Sequence, residues 1–299
     1  MTEVRDQWHR WLLDVRHGGD AAYREQLLAR TLHPVRDKVL DRADLRPGDT
    51  LLDVGCGDGL IALGALDRLG SAGRVIFSDV SQDLLDHCLD AAAASGQLER
   101  CEFVRAPADR LAGIADASVD VVTTRSVLIY VKDKAAAFRE FRRVLRPGGR
   151  LSLFEPINAL MHGGDPLHFH GYDVGQVAHL ARKVSAQFSR LRPDGGNPML
   201  DFDDRDLVRL AEQAGFAEVG LELNVTVKSS RPPVPWERFL RMSGNPLVPP
   251  LANILEEALT ADEIAEFSAH LRPLVEAGAG KDRMAVAYLT ASGHRPDEA

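Results

Sequence analysis

The chain has 299 residues, of which 45% are hydrophobic, and a formal net charge of −8. This is enough for one domain with insertions or for one domain with a cap. The negative charge argues against a non-specific nucleic-acid surface, because phosphate binding needs clustered lysine and arginine. No apolar tract reaches 18 residues, and segment 1–6 lacks a signal-peptide core, so we expect a cytoplasmic protein that does not bind membranes.

Residues 1–45 are predicted to form a helical N-terminal extension. Apolar side chains recur at helical spacing at Trp8, Trp11, Leu12 and Val15. A second apolar helix follows and is interrupted by Pro47-Gly48. We interpret Trp8, Trp11 and Tyr23 as residues that pack these helices.

Between residues 46 and 155, strand patterns alternate with helix patterns. The predicted strands are 51–54, 74–78, 101–105, 119–124 and 150–154. Alternation of this kind predicts an α/β fold with a doubly wound, mostly parallel sheet, and ligands at the carboxyl ends of its strands.

The remainder, 156–299, is less regular. Residues 156–200 are rich in Gly, Pro and His around one helix pattern at 174–188, and residues 231–280 read as helical. Apolar residues alternate from Val219 to Val227, and a last strand is predicted at 284–289.

Three alternate glycines follow the first of these strands. The run Leu51 to Gly59 places Asp53 before Gly55, Gly57 and Gly59, and bare glycine backbone can approach a ligand closely. Asp79 ends the next strand, where a carboxylate can bind a ribose diol. The glycine spacing is G-x-G-x-G, and Leu60 stands where the dinucleotide fingerprint G-x-G-x-x-G has its third glycine. Leu60 and Asp53 therefore count against a nicotinamide dehydrogenase. The carboxylate of Asp53 suits a cationic ligand.

This motif resembles the first motif of the class I S-adenosylmethionine-dependent methyltransferases, hhDhGxGxG, where h is apolar. Asp79, the strand 119–124 and the turn 145–151 match later parts of that family's pattern in order. The resemblance implies a seven-stranded sheet with an antiparallel edge pair, S-adenosylmethionine as cofactor and S-adenosylhomocysteine as product. The extension 1–45 would act as a lid, and segments 156–200 and 231–280 would build the acceptor pocket.

The resemblance also implies which residues bind the cofactor. Asp53 would contact the aminoacyl end, directly or through water, and the loop of Gly55, Cys56 and Gly57 would face the cofactor. Asp79, followed by Val80, would accept hydrogen bonds from the ribose hydroxyls.

The adenine end departs from the family pattern. Many relatives have Gly-Asp-Ala after strand 3, whereas this chain has Ala106-Pro107-Ala108-Asp109. Ala108 and Asp109 are the candidates for binding the adenine. The alternative for Asp109 is that it is a surface residue of the loop. The side chain of Arg125 would bind the carboxylate of the cofactor's methionine moiety, or Arg125 would contact the cofactor only through its backbone carbonyl.

Methyl transfer needs a base only if the acceptor must lose a proton. His162, His168 and His170 are the candidates, and transfer by proximity and desolvation alone is the alternative. Tyr130 is a candidate pocket wall, as are Arg16 and His17, which precede Gly18-Gly19 where a lid would bend. The three cysteines, Cys56, Cys88 and Cys101, read as free thiols, and no metal site is expected.

The predicted function is methyl transfer to an O, N or C atom of a small molecule by a monomer or homodimer. A protein or tRNA methyltransferase is one alternative. A non-catalytic S-adenosylmethionine-binding regulatory protein is another.

Overall fold

A computed structural model describes residues 5–16, 18–161, 167–191 and 196–293. Within them, nine strands are present. They are β1 Thr50–Val54, β2 Arg74–Asp79, β3 Cys101–Arg105, β4 Val119–Arg125, β5 Leu145–Pro156, β6 His168–Phe169, β7 Tyr172–Asp173, β8 Glu218–Lys228 and β9 Asp282–Ser292.

The described residues also form twelve α-helices. They are α1 Gln7–Arg10, α2 Ala21–Leu27, α3 His33–Arg42, α4 Leu60–Leu66, α5 Gln82–Ala94, α6 Lys134–Val144, α7 Asn158–Met161, α8 Ala178–Arg190, α9 Asp204–Gln213, α10 Trp236–Arg241, α11 Leu251–Ala258 and α12 Ala261–Ala277. Two π-helical segments, Trp11–Val15 and Leu28–Leu32, continue α1 and α2. No helix in the described ranges is both long and apolar enough to cross a membrane.

Seven strands form one sheet in the order β3-β2-β1-β4-β5-β9-β8. The pairs from β3 to β5 are parallel, and β9 runs antiparallel to both β5 and β8. The predicted seven-stranded, mostly parallel sheet with an antiparallel edge pair is therefore confirmed. This order brings the carboxyl ends of β1, β2 and β4 together at one edge, where crevices form in doubly wound folds.

The sheet is covered on both faces because successive strand residues point to opposite sides. On one face, Leu51 and Phe77 pack with buried residues of α3, α4 and α5. On the other face, Leu52 and Val122 pack with residues of α6 and α9. Helix α3 lies in the predicted N-terminal extension yet buries Val39 completely in the sheet core. The extension is thus partly an element of the core.

A third apolar cluster lies outside the sheet. It joins the β6–β7 hairpin and α8 with α10, α11 and α12 around Phe267, Leu255 and Tyr172. We call these elements the cap. The division into 1–45, 46–155 and 156–299 stays a prediction, since packing rather than a chain boundary defines these clusters.

Candidate functional site

The loop after β1 turns sharply into α4. Gly55 and Gly57 have φ angles of +66° and +57°, in the left-handed region that favours glycine. A Cβ atom on Gly55 would lie 2.3 Å from Val127 Cγ2, and one on Gly57 would lie 3.1 Å from Leu12 Cδ2. Backbone conformation and close packing therefore both require side-chain-free residues here.

Asp79 lies at the end of β2 beside this loop and is 7% exposed. Its Oδ2 accepts a hydrogen bond from Gly57 N at 3.0 Å, and its Oδ1 accepts one from Ser81 N at 2.9 Å. Burial raises the pKa of Asp79. Two backbone donors thus fix the carboxylate, and each oxygen keeps a lone pair for a ligand.

A cavity of about 540 Å³ lies over these groups and is covered by the N-terminal segment. We call it the cofactor cavity. Its walls include nine predicted site residues: Arg16, Gly55, Gly57, Asp79, Val80, Ala108, Asp109, Arg125 and Tyr130. Chain segments far apart in sequence therefore meet at this cavity.

Asp53 does not line this cavity. It is 2% exposed, its Oδ1 accepts a hydrogen bond from Thr123 Oγ1 at 2.9 Å, and its Oδ2 accepts one from Ala62 N at 3.2 Å. Burial raises the pKa of Asp53 to about 7. The carboxyl joins β1 to β4 and α4, and its contact with the aminoacyl end, directly or through water, stays a prediction.

Cys56 does not line the cavity either. Its N–H donates to Ser78 O and its carbonyl accepts from Gly59 N, both at 2.9 Å. A hydrogen bond with the Cys88 thiol, together with burial, raises the pKa of Cys56. One backbone partner of Cys56 thus lies in β2 and the other in the turn, and a contact of Cys56 with the cofactor stays a prediction.

The N-terminal helix is attached to both sides of the cavity. Asp6 accepts hydrogen bonds from Trp8 N and His9 N as an N-cap, and its Oδ2 accepts one from Ser81 Oγ at 2.6 Å. Trp11 Nε1 donates to Ser243 O at 2.8 Å, next to the cap. Residues 6–16 therefore form a lid over the cavity.

An aromatic cluster joins the lid to the core. The ring of Trp8 meets Tyr130 edge-on with centroids 5.1 Å apart, and Trp11 meets Tyr130 at 6.2 Å. Burial raises the pKa of Tyr130 to about 12. Both tryptophans pack in this cluster and also line the cavity, so a contact with a ligand stays the alternative for them.

Glu155, at the end of β5, was missed. It is fully buried, and its Oε1 accepts hydrogen bonds from Val127 N at 2.8 Å and Leu128 N at 2.9 Å. Burial raises the pKa of Glu155 to about 7. Its carboxyl supports the turn that carries Tyr130. An acid at the tip of an apolar strand was the signal for it.

A second cavity, of about 360 Å³, adjoins the first. Trp8, Tyr130 and Met199 line both cavities, so the two cavities meet at these three side chains. We call the second one the acceptor cavity, after the role that we propose for it.

The predicted histidines separate in the structure. His170 lines the acceptor cavity, whereas His168 lies in β6 and lines neither of these two cavities. His162 and His17 lie outside the described residues. Within the described part of the chain, no group of three His, Cys, Asp or Glu residues is arranged to hold a metal ion.

The charges around the cofactor cavity fit a zwitterionic nucleoside such as S-adenosylmethionine. Asp79 and the bare backbone of Gly57 provide a place for a ribose, and Ala108 and Asp109 line the wall beside them. Burial and the neighbouring Arg125 guanidinium lower the pKa of Arg16. Two crowded guanidinium groups on one cavity favour a bound carboxylate.

Comparisons with known proteins agree with this geometry. The family model described as "Methyltransferase domain" matches residues 52–153. An uncharacterized 37.1 kDa protein from a Streptomyces fradiae transposon is 30% identical over 261 residues, which cover 87% of this chain and 62% of the relative. The chain thus spans less than two thirds of that relative's length.

A ubiquinone/menaquinone biosynthesis C-methyltransferase from Hahella chejuensis is 34% identical over 187 residues, covering 60% of this chain and 71% of that enzyme. The crystal structure of the YcgJ protein from Bacillus subtilis shares the fold, with a TM-score of 0.54 at 16% identity, covering 88% of this chain and 99% of that one. Motif, fold and relatives agree, and the chain belongs to the class I S-adenosylmethionine-dependent methyltransferases.

Proposed function

We propose that this protein transfers a methyl group from S-adenosylmethionine to an O, N or C atom of a small-molecule acceptor. The observation that carries the proposal is the acceptor cavity, which meets the cofactor cavity at Trp8, Tyr130 and Met199. The cofactor, when bound, supplies a methyl group on a positively charged sulfur. The rest of the chemistry depends on how the chain positions the acceptor.

The residues of the cofactor cavity have distinct roles in this proposal. Asp79 would accept hydrogen bonds from the ribose hydroxyls while Gly57 and Ser81 hold its carboxylate in place. Arg16 and Arg125 would bind the carboxylate of the methionine moiety. Ala108 and Asp109 would contact the adenine.

Proximity and desolvation supply the acceleration in this proposal. The lid places Trp8, Trp11 and Leu12 over the cofactor cavity, so closing it removes water from the reacting groups. Holding an acceptor atom about 3–3.5 Å from the methyl carbon contributes several kcal/mol. Among the described candidates, His170 alone lines the acceptor cavity, which makes it the candidate base for an acceptor that must lose a proton.

The alternatives fit the site less well. A protein or tRNA methyltransferase must admit a polymer, whereas here the lid and the cap lie on two sides of the cavities. A non-catalytic S-adenosylmethionine-binding protein has no need of a second cavity beside the first. The Hahella relative is named as a C-methyltransferase, so carbon acceptors belong in the test.

The experiment measures S-adenosylhomocysteine formed from S-adenosylmethionine with three sets of small acceptors: phenols, aromatic amines and 1,3-dicarbonyl compounds. We expect turnover with at least one set, and loss of that turnover in Asp79→Ala. If the cofactor binds but no product forms from the small acceptors, from protein or from tRNA, the non-catalytic alternative is favoured. Product from protein or tRNA alone would favour the polymer-modifying one.

A further inference from the structure

We propose that the acceptor cavity selects an uncharged, largely apolar acceptor. This inference rests on the proposed function, because it names the substrate class of the same site. It depends on how charged side chains are distributed between the two adjoining cavities.

The two cavities differ sharply in charge. The cofactor cavity is lined by the charged residues Arg16, Asp79, Asp109, Arg125 and Lys132. The described lining of the acceptor cavity contains no Asp, Glu, Lys or Arg. It consists of Trp8, Tyr130, His170, Ser185, Phe188, Ser189, Leu191, Asn197, Pro198, Met199, Asn245, Leu247 and Val248.

This lining has a direct consequence for the acceptor. A charged group that leaves water without a partner of opposite charge pays a large desolvation penalty. The rings of Trp8, Tyr130 and Phe188 offer apolar surface instead. The amides of Asn197 and Asn245 are neutral and suit a hydroxyl, carbonyl or amine. A charged acceptor such as an amino acid or a phosphate ester finds no Asp, Glu, Lys or Arg partner in the described lining.

The side chains at which the two cavities meet are held in place from both sides. Asn245 Nδ2 donates a hydrogen bond to Met199 Sδ at 2.9 Å. Trp8 packs edge-on against Tyr130, whose turn is anchored by Glu155. An acceptor atom that approaches the methyl group must therefore do so where the cavities meet, in contact with these side chains.

Two fluorescent probes with one ring skeleton test the inference. N-phenyl-1-naphthylamine is neutral, and 8-anilino-1-naphthalenesulfonate carries an added negative charge. Each is titrated at pH 8 into the full chain saturated with S-adenosylhomocysteine, so that the cofactor cavity is filled. We expect the neutral probe to bind about tenfold or more tightly than the anionic one, because the sulfonate would lose its hydration without a partner.

Two charge-introducing variants locate the binding. Ser185→Asp and Leu247→Asp add a carboxylate to the lining, and both residues are exposed enough to accept it. Their matched controls are Ala186→Asp, one residue along α8, and Leu160→Asp, another exposed leucine; neither control position lines the cavity. We expect the Kd of the neutral probe to rise at least about fivefold in the first pair and less than about twofold in the controls.

The outcomes separate clearly. Any one of four results would overturn the inference. They are equal affinity for both probes, displacement of the neutral probe by S-adenosylhomocysteine, equal effects in the variants and their controls, and no binding of either probe. The readout needs no methyl transfer. Selective binding of the neutral probe with no product from any acceptor would leave the inference standing and refute the proposed function.

Discussion

The cofactor cavity and the acceptor cavity are built by different means. The first is lined by loops at the carboxyl ends of parallel strands, where backbone N–H groups fix Asp79 and buried carboxyls support the loops. The second is lined by cap helices, loops and the lid, with no Asp, Glu, Lys or Arg in its described lining. In the proposed function, the sheet would determine which cofactor binds, whereas the inserted segments would determine the acceptor.

The largest effect is expected at Gly57. Gly57→Val forces a β-branched residue into the left-handed region and places its Cβ against Leu12, so S-adenosylhomocysteine binding should be lost. Calorimetric titration and circular dichroism measure binding and folding. Gly96→Val is the matched control, because Gly96 also has a positive φ but has nothing within 4 Å of its added Cβ.

If Gly96→Val loses binding as fully as Gly57→Val, backbone strain explains the result and the loop is not a ligand contact. Normal binding by Gly57→Val would also remove the loop from the site. In either case the proposed contrast between the two cavities would lose its cofactor half.

Asp79→Ala should weaken S-adenosylhomocysteine binding at least about tenfold, since charge-assisted hydrogen bonds contribute about 1.5–3 kcal/mol each. The neutral probe in the acceptor cavity should be unaffected. Asp86→Ala, at an exposed position on α5, is the control. An unchanged dissociation constant in Asp79→Ala would show that the ribose binds elsewhere.

The buried carboxyls give the cofactor side a pH dependence. Glu155 has a pKa of about 7 when folded, against an ordinary value of 4.5, so the folded state binds its proton more tightly. The contribution of this proton to the free energy of unfolding is complete below about pH 4.5 and is lost as the pH rises through about 7. Glu155→Gln keeps an oxygen for Val127 and Leu128 but cannot ionise.

The free energy of unfolding should therefore fall less between pH 5 and pH 8 in Glu155→Gln than in the wild type, by about 2 kcal/mol. Urea unfolding at both pH values measures it, with the exposed Glu256→Gln as control. Asp53 retains its own contribution in this variant, so part of the slope should remain. If the free energy of unfolding depends equally on pH in the wild type and in Glu155→Gln, folding does not raise the pKa of Glu155.

The smallest effect is expected at the histidines. If proximity alone governs transfer, His162→Ala, His168→Ala and His170→Ala should each lower turnover less than about tenfold, with a flat profile between about pH 5.5 and 8. Steady-state kinetics with an accepted substrate measure both. A fall of about 10²–10⁴-fold in His170→Ala, with S-adenosylhomocysteine affinity unchanged, would instead identify a base in the acceptor cavity.

The sheet and most of the cofactor cavity could be predicted from the sequence because their signals are local. Glycine spacing, the acid at Asp79 and strand alternation each depend on a few neighbouring residues. Asp53 and Cys56 do not line the cavity, and their contacts with the cofactor stay predictions. Whether a side chain or its backbone meets the ligand depends on partners such as Thr123, Ala62 and Ser78, which lie in other elements.

The acceptor cavity was beyond sequence reasoning for a different reason. Trp8, Tyr130, Met199 and Asn245 are far apart along the chain, and only the packing of lid, core and cap brings them together. The spacing of apolar residues predicts that Trp8 lies on the apolar face of a helix. Side chains that pack in a core and side chains that line a cavity have the same spacing.

We propose that cofactor and acceptor occupy two cavities that meet at Trp8, Tyr130 and Met199. A crystal structure of the protein with S-adenosylhomocysteine tests this arrangement. We expect the ribose hydroxyls within hydrogen-bond distance of Asp79 and the sulfur facing the side chains of Trp8, Tyr130 and Met199. A sulfur atom directed away from these side chains, or a ligand bound without contact to Asp79, would contradict the proposal.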